Sequence, residues 1–177
     1  TKRNVATEDF DHPGFVTPIG KVRSRGFEFN LQGELTPSWN IVLNVSHARP
    51  VVLESTGEIP AGNLLPYLPN TTANIWTTWA LPEALLRGVR IGGGVDWASR
   101  GNLYPGHSSS APAYAIASGF AAWETAIADH QLTLQVNVDN LFDKRFYNSL
   151  DGQQDYGIAA VNLGTPRRLL VTVRFKL

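Results

Sequence analysis

Alternation of apolar and polar residues is clearest in two segments near the end of the chain. In QLTLQVNVD, residues 131–139, every second residue is apolar, and the same holds for RLLVTVRFKL, residues 168–177. Successive side chains of a β-strand point to opposite faces, so each segment has one apolar face and one polar face. The two segments are therefore predicted to be strands of one hairpin, joined by the loop 148–165.

The same period of two recurs upstream and predicts about eight strands. In the segment 22–35, for example, Phe27 and Phe29 alternate with Glu28 and Asn30. The predicted strands are residues 2–8, 22–35, 39–48, 71–81, 88–98, 113–127, 131–147 and 166–177.

The segment 113–127 is the one predicted strand for which a helix is a rival. It is rich in Ala, which is a poor strand former. Its aromatic residues Tyr114, Phe120 and Trp123 do not lie on one helical stripe, however, and this favours a strand.

The connections between these strands alternate in length. Short ones lie at 36–38, 82–87 and 128–130, and the others, rich in Pro, Gly and polar residues, are long. The long connections are residues 9–21, 49–70, 99–112 and 148–165. All long loops would then lie at one end of the sheet, as in outer-membrane β-barrels.

Aromatic residues lie near both ends of the predicted strands. The ends near the short connections carry Trp39, Trp79 and Phe175, and the ends near the long loops carry Phe27, Trp97, Tyr114, Phe146 and Tyr147. Two aromatic belts are what the two interfaces of a membrane select.

Composition and net charge exclude several classes of partner and site. Fifteen basic and fifteen acidic residues cancel, so the net charge predicts no nucleic-acid or polyanion partner. Cysteine is absent, which excludes disulfides, thiolate metal sites and a cysteine nucleophile. The sequence contains no apolar run of about 18 residues, so it predicts no transmembrane helix. It also does not begin with the pattern of a secretory signal. Because the sequence starts in mid-pattern, we expect it to be a piece of a longer protein.

Five blocks, in this order and spacing, resemble the C-terminal part of a TonB-dependent ferric-siderophore receptor. They are VRSRGFEFNLQGELTPSWN, PYLPNTTANIWTTWAL, GVRIGGGVDW, LQVNVDNLFDKRFYNS and YGIAAVNLGTPRRLLVTVRFKL. The most specific signature is N-x-x-N-L-F-D-K-x-[FY]-Y followed by G-T-P-R. Its residues are Asn137, Asn140, Leu141, Phe142, Asp143, Lys144, Phe146, Tyr147, Gly164, Thr165, Pro166 and Arg167.

The resemblance implies an all-β fold: an antiparallel up-and-down meander of about eight strands, cut from a 22-stranded transmembrane β-barrel. Residues 1–177 would be the C-terminal portion of the barrel domain. The implied function is TonB-dependent uptake of ferric siderophores across the outer membrane of a Gram-negative bacterium, without catalysis. The implied partners are a ferric siderophore, the plug domain in the lumen, outer-membrane lipid, and the TonB complex, which binds the missing N-terminal part. No cofactor or protein metal ligand is implied, because the iron arrives as a siderophore chelate.

Aromatic and cationic residues on the long-loop side of the sheet are the candidate ligand contacts. Aromatics offer flat apolar area, and Arg complements an anionic chelate. These candidates are Tyr67, Arg100, Tyr104, Tyr147 and Tyr156. We expect the signature residues to be mostly structural, because charges and aromatics at strand ends are normally anchors.

The polar face of the strands would face the lumen of such a barrel, where it meets plug and water. Its members are Glu28, Asn30, Gln32, Glu34, Asn40, Asn44, Ser46, Asp96, Gln135, Asn137, Asp139 and Arg174. The alternative is a soluble all-β sandwich that binds carbohydrate or another small ligand. There the apolar faces would form a core and the same polar residues would be surface.

Other motifs give no catalytic or metal site. The four His residues share no ligand spacing, and the acidic loop clusters lack an EF-hand pattern. The Ser108–Ser110 run has no nucleophile setting. The Gly92–Gly94 run lies inside a strand pattern, where glycines indicate a bulge or a close backbone approach. The sequence therefore predicts no enzyme.

Overall fold

The computed structural model describes residues 1–8, 12, 14–55, 60–65, 69–102, 110–128, 130–151 and 160–176. These residues form strands joined by turns and irregular segments. The strands are β1 (Lys2–Glu8), β2 (Val16–Thr36), β3 (Trp39–Glu54), β4 (Thr71–Ala80), β5 (Val89–Ala98), β6 (Gly101–Asn102), β7 (Ser110–Ala111), β8 (Tyr114–Ile127), β9 (His130–Asp139), β10 (Tyr147–Asp151), β11 (Ala160–Leu163) and β12 (Arg168–Lys176). Within this described part, no helix is long and apolar enough to cross a membrane.

Eight strands make one antiparallel sheet in the order β1-β2-β3-β4-β5-β8-β9-β12. Each strand pairs with the one before it in this order, so the sheet is an up-and-down meander and the predicted fold class is confirmed. The remaining strands form two small hairpins, β6 with β7 and β10 with β11. Apart from Tyr147 at the start of β10, both hairpins lie inside connections that the sequence predicts as plain loops.

Two predicted loop boundaries are wrong, because the β2–β3 hairpin is longer than its sequence pattern indicates. Strand β2 begins at Val16 inside the predicted loop 9–21, and β3 continues to Glu54 inside the predicted loop 49–70. The prolines of these segments take part in the ladder, where Pro18 lies opposite Ala6 and Pro50 opposite Ser24. Proline fits a strand wherever the ladder needs no donor from it, so pairing overrides local propensity there.

The predicted strand 131–147 is also divided. Strand β9 ends at Asp139, and the chain turns over residues 140–146 before β10 begins. Asn140 and Asp143 have left-handed backbone conformations, with φ of 50° and 52°. Asn and Asp adopt this conformation more readily than most residues, so they end the strand here.

The register keeps the two faces of the sheet consistent from strand to strand. One row across four strands contains Phe29, Val45, Ala73 and Trp97, and it is apolar. The adjacent row lies on the other face and is polar; its residues are Asn30, Asn44, Asn74 and Asp96. The alternation read from single strands therefore holds across the sheet.

The apolar face is not covered by other described parts of the chain. Side chains of Trp39, Trp97 and Trp123 on this face are 43%, 38% and 43% exposed. Buried apolar residues are few in the described part; the main cluster is Val22 and Val52, with Leu65 packed against them. A soluble sandwich needs a second large sheet on this face. The described residues form only one large sheet, which contradicts that alternative.

Candidate functional site

A ladder of amide and carboxylate side chains crosses the polar face near the long-loop end of the sheet. Asn74 Nδ2 donates to Asp96 Oδ1 at 2.6 Å, and Asn44 Nδ2 donates to Asn74 Oδ1 at 3.4 Å. Directly opposite residues of an antiparallel pair lie on the same face, and this brings the three side chains together. The polar set predicted above does not include Asn74. Its position between Ala73 and Ile75 nevertheless puts it on the polar face of its strand.

The ladder lies in a groove of about 360 Å³ near the long-loop end of the sheet. Other polar residues that line it are Glu28, Asn30, Ser46, Thr72 and Tyr114. Its two carboxylates, Glu28 and Asp96, share the groove with no Lys or Arg among its described lining residues. The groove therefore suits a partner that donates hydrogen bonds or carries positive charge.

Two aromatic rings interrupt the polar face just below this groove. Trp76 and Phe120 stack with ring centroids 6.2 Å apart and an interplanar angle of 11°. They lie over Gly94 and Gly92, where an added Cβ would come within 2.6 Å of the Trp76 ring and 2.4 Å of the Phe120 ring. The pairing of β5 has no register shift on either side. Of the two readings of the glycine run, close approach is therefore right and a bulge is wrong.

The signature turn, residues 140–147, is centred on the side chain of Asn140. Its Nδ2 donates to the carbonyl oxygens of Lys144 at 2.9 Å and Thr165 at 3.0 Å, and its Oδ1 accepts from the Lys144 N–H at 2.8 Å. Only 3% of Asn140 is exposed. Within the described part of the chain, it is the only polar residue that is buried. One amide thus closes its own turn and holds the segment that leads into β12.

The same turn is joined to strand β8. The Asn140 N–H donates to Ser118 Oγ at 3.2 Å, and the Leu141 N–H donates to the Ala117 carbonyl at 2.8 Å. The Asp143 carboxylate accepts from the Arg167 N–H at 2.8 Å. Sequence reasoning missed Ala117 and Ser118, because no local pattern links residues that far from the turn.

Aromatic packing completes the junction. The Phe146 ring lies directly over Gly164, where an added Cβ would be 2.0 Å from a ring carbon. The ring also contacts Tyr114, with centroids 4.6 Å apart. The Gly164 N–H donates to the Phe146 carbonyl at 2.8 Å. Glycine at 164 therefore leaves the space that the ring fills. The neighbouring Phe142 is 77% exposed, and Pro166 is exposed.

The predicted ligand-contact residues are only partly described. Arg100 lies between β5 and β6, directly before Gly101, and Tyr147 begins β10, opposite Leu163. Both are exposed and lie at the long-loop end, but in different connections, and the described residues show no contact that joins them. Tyr67, Tyr104 and Tyr156 lie outside the described residues.

Metal ligands are not grouped in the described part of the chain. It contains no cluster of three or more His, Cys, Asp or Glu residues that could hold a metal ion. His47 instead bonds Thr71 Oγ1 through Nδ1 at 2.8 Å, and His130 packs against Phe175.

Comparison with known proteins gives the family. A family model described as TonB dependent receptor-like, beta-barrel, matches residues 1–141. The chain belongs to this family. The sequence of this receptor barrel is 31% identical over 161 residues to the ferric-pyoverdine 358 receptor of Pseudomonas putida. The match covers 89% of the chain and 18% of that receptor. It is 28% identical over 181 residues to an uncharacterized TonB-dependent receptor of Haemophilus influenzae, covering 99% of the chain and 52% of that protein.

Solved structures show the same barrel segment. The ferric preacinetobactin receptor BauA of Acinetobacter baumannii superimposes with a TM-score of 0.78 at 18% identity, over 98% of the chain and 25% of BauA. The ferric yersiniabactin uptake receptor FyuA of Yersinia pestis gives 0.77 at 18% identity, over 99% of the chain and 26% of FyuA. At this level of identity the likeness concerns the fold. The chain spans between about a fifth and about a half of the curated relatives described above.

Proposed function

We propose that the protein containing this chain is an outer-membrane receptor that imports ferric siderophores with energy from TonB. The observation that carries the proposal is the uncovered apolar face. It is bounded by Trp39 and Trp79 near the short turns and by Phe27 and Trp97 near the long loops. In water such a face is unfavourable, whereas in a bilayer it contacts lipid. Relatives that are ferric-siderophore receptors supply the substrate class.

In this proposal the opposite, polar face lines the lumen and residues 1–177 are the C-terminal portion of the barrel domain. The lumen of a large barrel is polar, and a plug domain from the remainder of the protein would occupy it. The groove around Asn74 and Asp96 would then contact plug, water or passing substrate. The missing N-terminal part would bind TonB.

The long-loop end is the extracellular side in this arrangement, because outer-membrane barrels have long loops outside and short turns in the periplasm. Tyr67, Arg100, Tyr104, Tyr147 and Tyr156 are proposed as contacts to the siderophore there. The protein supplies no iron ligand, no other cofactor and no catalysis in this scheme, since the iron is already chelated. The host would be a Gram-negative bacterium.

The first experiment locates the full-length parent protein. We expect it in the outer-membrane fraction, where it should resist extraction by salt and dissolve only in detergent. A parent that is wholly periplasmic or cytosolic would contradict the proposal.

The second experiment identifies the substrate. A strain without the parent gene is grown under iron limitation on a panel of single siderophores, and we expect growth to be lost on at least one of them. The parent should restore growth, whereas the Arg100→Gln and Tyr147→Ala variants should need about tenfold more siderophore if these residues anchor it. The Arg174→Gln variant, altered near the short-turn end, serves as the matched control. Unchanged growth of the deletion strain on every siderophore would rule out siderophore uptake.

A further inference from the structure

Basic side chains gather on one face of the extension of strands β1, β2 and β3 at the long-loop end. Arg3 lies opposite Lys21, and Arg25 lies opposite Arg49. Arg23 lies between Lys21 and Arg25 with the same strand parity. We call these five residues, Arg3, Lys21, Arg23, Arg25 and Arg49, the outer basic face.

The arrangement places like charges directly opposite each other twice, and such cross-strand pairs are destabilising. One acid is present to relieve them: Lys21 Nζ lies 3.0 Å from Glu54 Oε1. Among the described residues no other ion pair includes a member of the outer basic face. The four arginines therefore lack an intramolecular counter-charge in that part of the chain.

The arginines of this region all lie on one side of the sheet, whereas Lys2, opposite Val22, lies on the other. On the side opposite the arginines, the intervening rows of the hairpin hold Ser24 opposite Pro50 and Gly26 opposite Ala48. Farther out on that side, Val22 and Val52 are buried beneath Leu65. Solvation alone gives no reason to place every arginine of the hairpin extension on one side.

The outer basic face continues the lipid-facing surface. Arg25 and Arg49 share their face with the next row inward, where Phe27 stacks on His47 with ring centroids 5.7 Å apart. Two residues of strand span about 7 Å, which matches the depth of a headgroup layer beyond the hydrocarbon core. Phe27 and Phe29 are 60% and 50% exposed on this face.

We propose that the outer basic face binds the phosphate groups of a phosphorylated lipid in the outer leaflet. Guanidinium groups bind phosphate through paired, charge-assisted hydrogen bonds. A single lipid can place its acyl chains on the phenylalanine rows and its phosphate between Arg25 and Arg49. This inference rests on the proposed outer-membrane location.

Purified full-length parent in detergent provides the test. Binding is measured for a diphosphorylated acyl-glucosamine lipid, for the same lipid without its phosphates, and for inorganic phosphate. Loss of Arg25 or Arg49 alone should weaken binding of the phosphorylated lipid about fivefold, and the double variant Arg25→Gln/Arg49→Gln about thirtyfold. The Arg174→Gln variant, which lies on the opposite face, should bind like the parent.

Three results would overturn the proposal. They are equal binding by the parent and the double variant, equal binding of the lipid with and without phosphate, and inorganic phosphate binding as tightly as the lipid. If the parent is absent from the outer membrane, the proposed function fails. If the parent is present there and the double variant still binds normally, this inference alone fails.

The Arg49→Glu variant separates lipid binding from a structural role. It places an acid opposite Arg25, so the unfolding midpoint in lipid-free detergent should stay the same or rise, while binding of the phosphorylated lipid is lost. A lower midpoint together with unchanged lipid binding would mean that the face serves only the fold.

Discussion

Two networks centred on asparagine differ in how completely they are closed. At the signature turn, Asn140 is 3% exposed and its amide bonds to Lys144 and Thr165. On the polar face, Asn74 bonds to Asp96 at 2.6 Å, but its contact with Asn44 is 3.4 Å long and all three line an open groove. The first network is saturated within the chain. The second has room for another molecule, so the same residue type has a structural role in one place and an interaction surface in the other.

The largest expected effect comes from opening the closed network. The Asn140→Ala substitution removes three hydrogen bonds and leaves a non-glycine residue at φ 50° without a compensating side chain. We expect it to lower the free energy of unfolding by about 3–4 kcal/mol, measured on the full-length parent by urea titration in lipid vesicles. The Asn140→Gly variant should lose about 1 kcal/mol less, since Gly accepts the left-handed conformation. Equal stability of Asn140→Ala and the parent would show that the turn does not hold the junction.

The packing beside that turn should give the next largest effect. In Gly164→Ala, the new methyl group would meet the Phe146 ring, and moving the ring should cost about 1–3 kcal/mol of unfolding free energy. Gly33→Ala is the matched control, because a Cβ there meets nothing within 4 Å. Its stability should be unchanged or raised by up to about 1 kcal/mol. The same loss in both variants would point to the strand backbone rather than to the ring contact.

Substitution in the open network should change stability less. We expect Asn74→Ala to cost about 1 kcal/mol or less, because its partners are accessible to water. If the groove contacts a partner in the lumen, uptake of iron should fall by more than the stability loss accounts for. Stability loss as large as that of Asn140→Ala would remove the distinction between the two networks.

The smallest effect on stability is expected for the exposed ion pair between β9 and β12. Arg168 donates to Asp139 Oδ2 at 2.7 Å, and the two side chains are 65% and 45% exposed. A double-mutant cycle should give a coupling below about 1 kcal/mol that weakens further with salt. A coupling of several kcal/mol would mean that this pair belongs with the closed network.

Much of the fold could be predicted from local pattern. The period of two fixes which residues share a face, and turn residues mark the connections, so eight strands and two faces follow from the sequence. The extension of the β2–β3 hairpin could not be predicted, because its prolines and glycines locally favour a loop and only pairing with β1 and β3 makes it a strand.

The candidate site was less accessible to sequence reasoning. Alternation placed Asn44 and Asp96 on the polar face, but only the register brings them to either side of Asn74. The exposed positions of Arg100 and Tyr147 agree with their predicted place at the long-loop end, and their contact with a ligand stays a prediction. The net charge of zero gave no sign of the outer basic face, because a sum over the chain carries no information on where charges lie.

The sequence by itself determined the strands, their faces and, through the signature residues, the resemblance to a receptor family. Each of these depends on residues that are close in the chain or on the order of motifs. Tertiary structure decided what the signature does and where like charges meet. Asn140 acquires Ser118 and Thr165 as partners across 22 and 25 residues, and Arg25 meets Arg49 only through strand register. Such contacts depend on how strands pair, and this is fixed by the whole sheet rather than by any one segment.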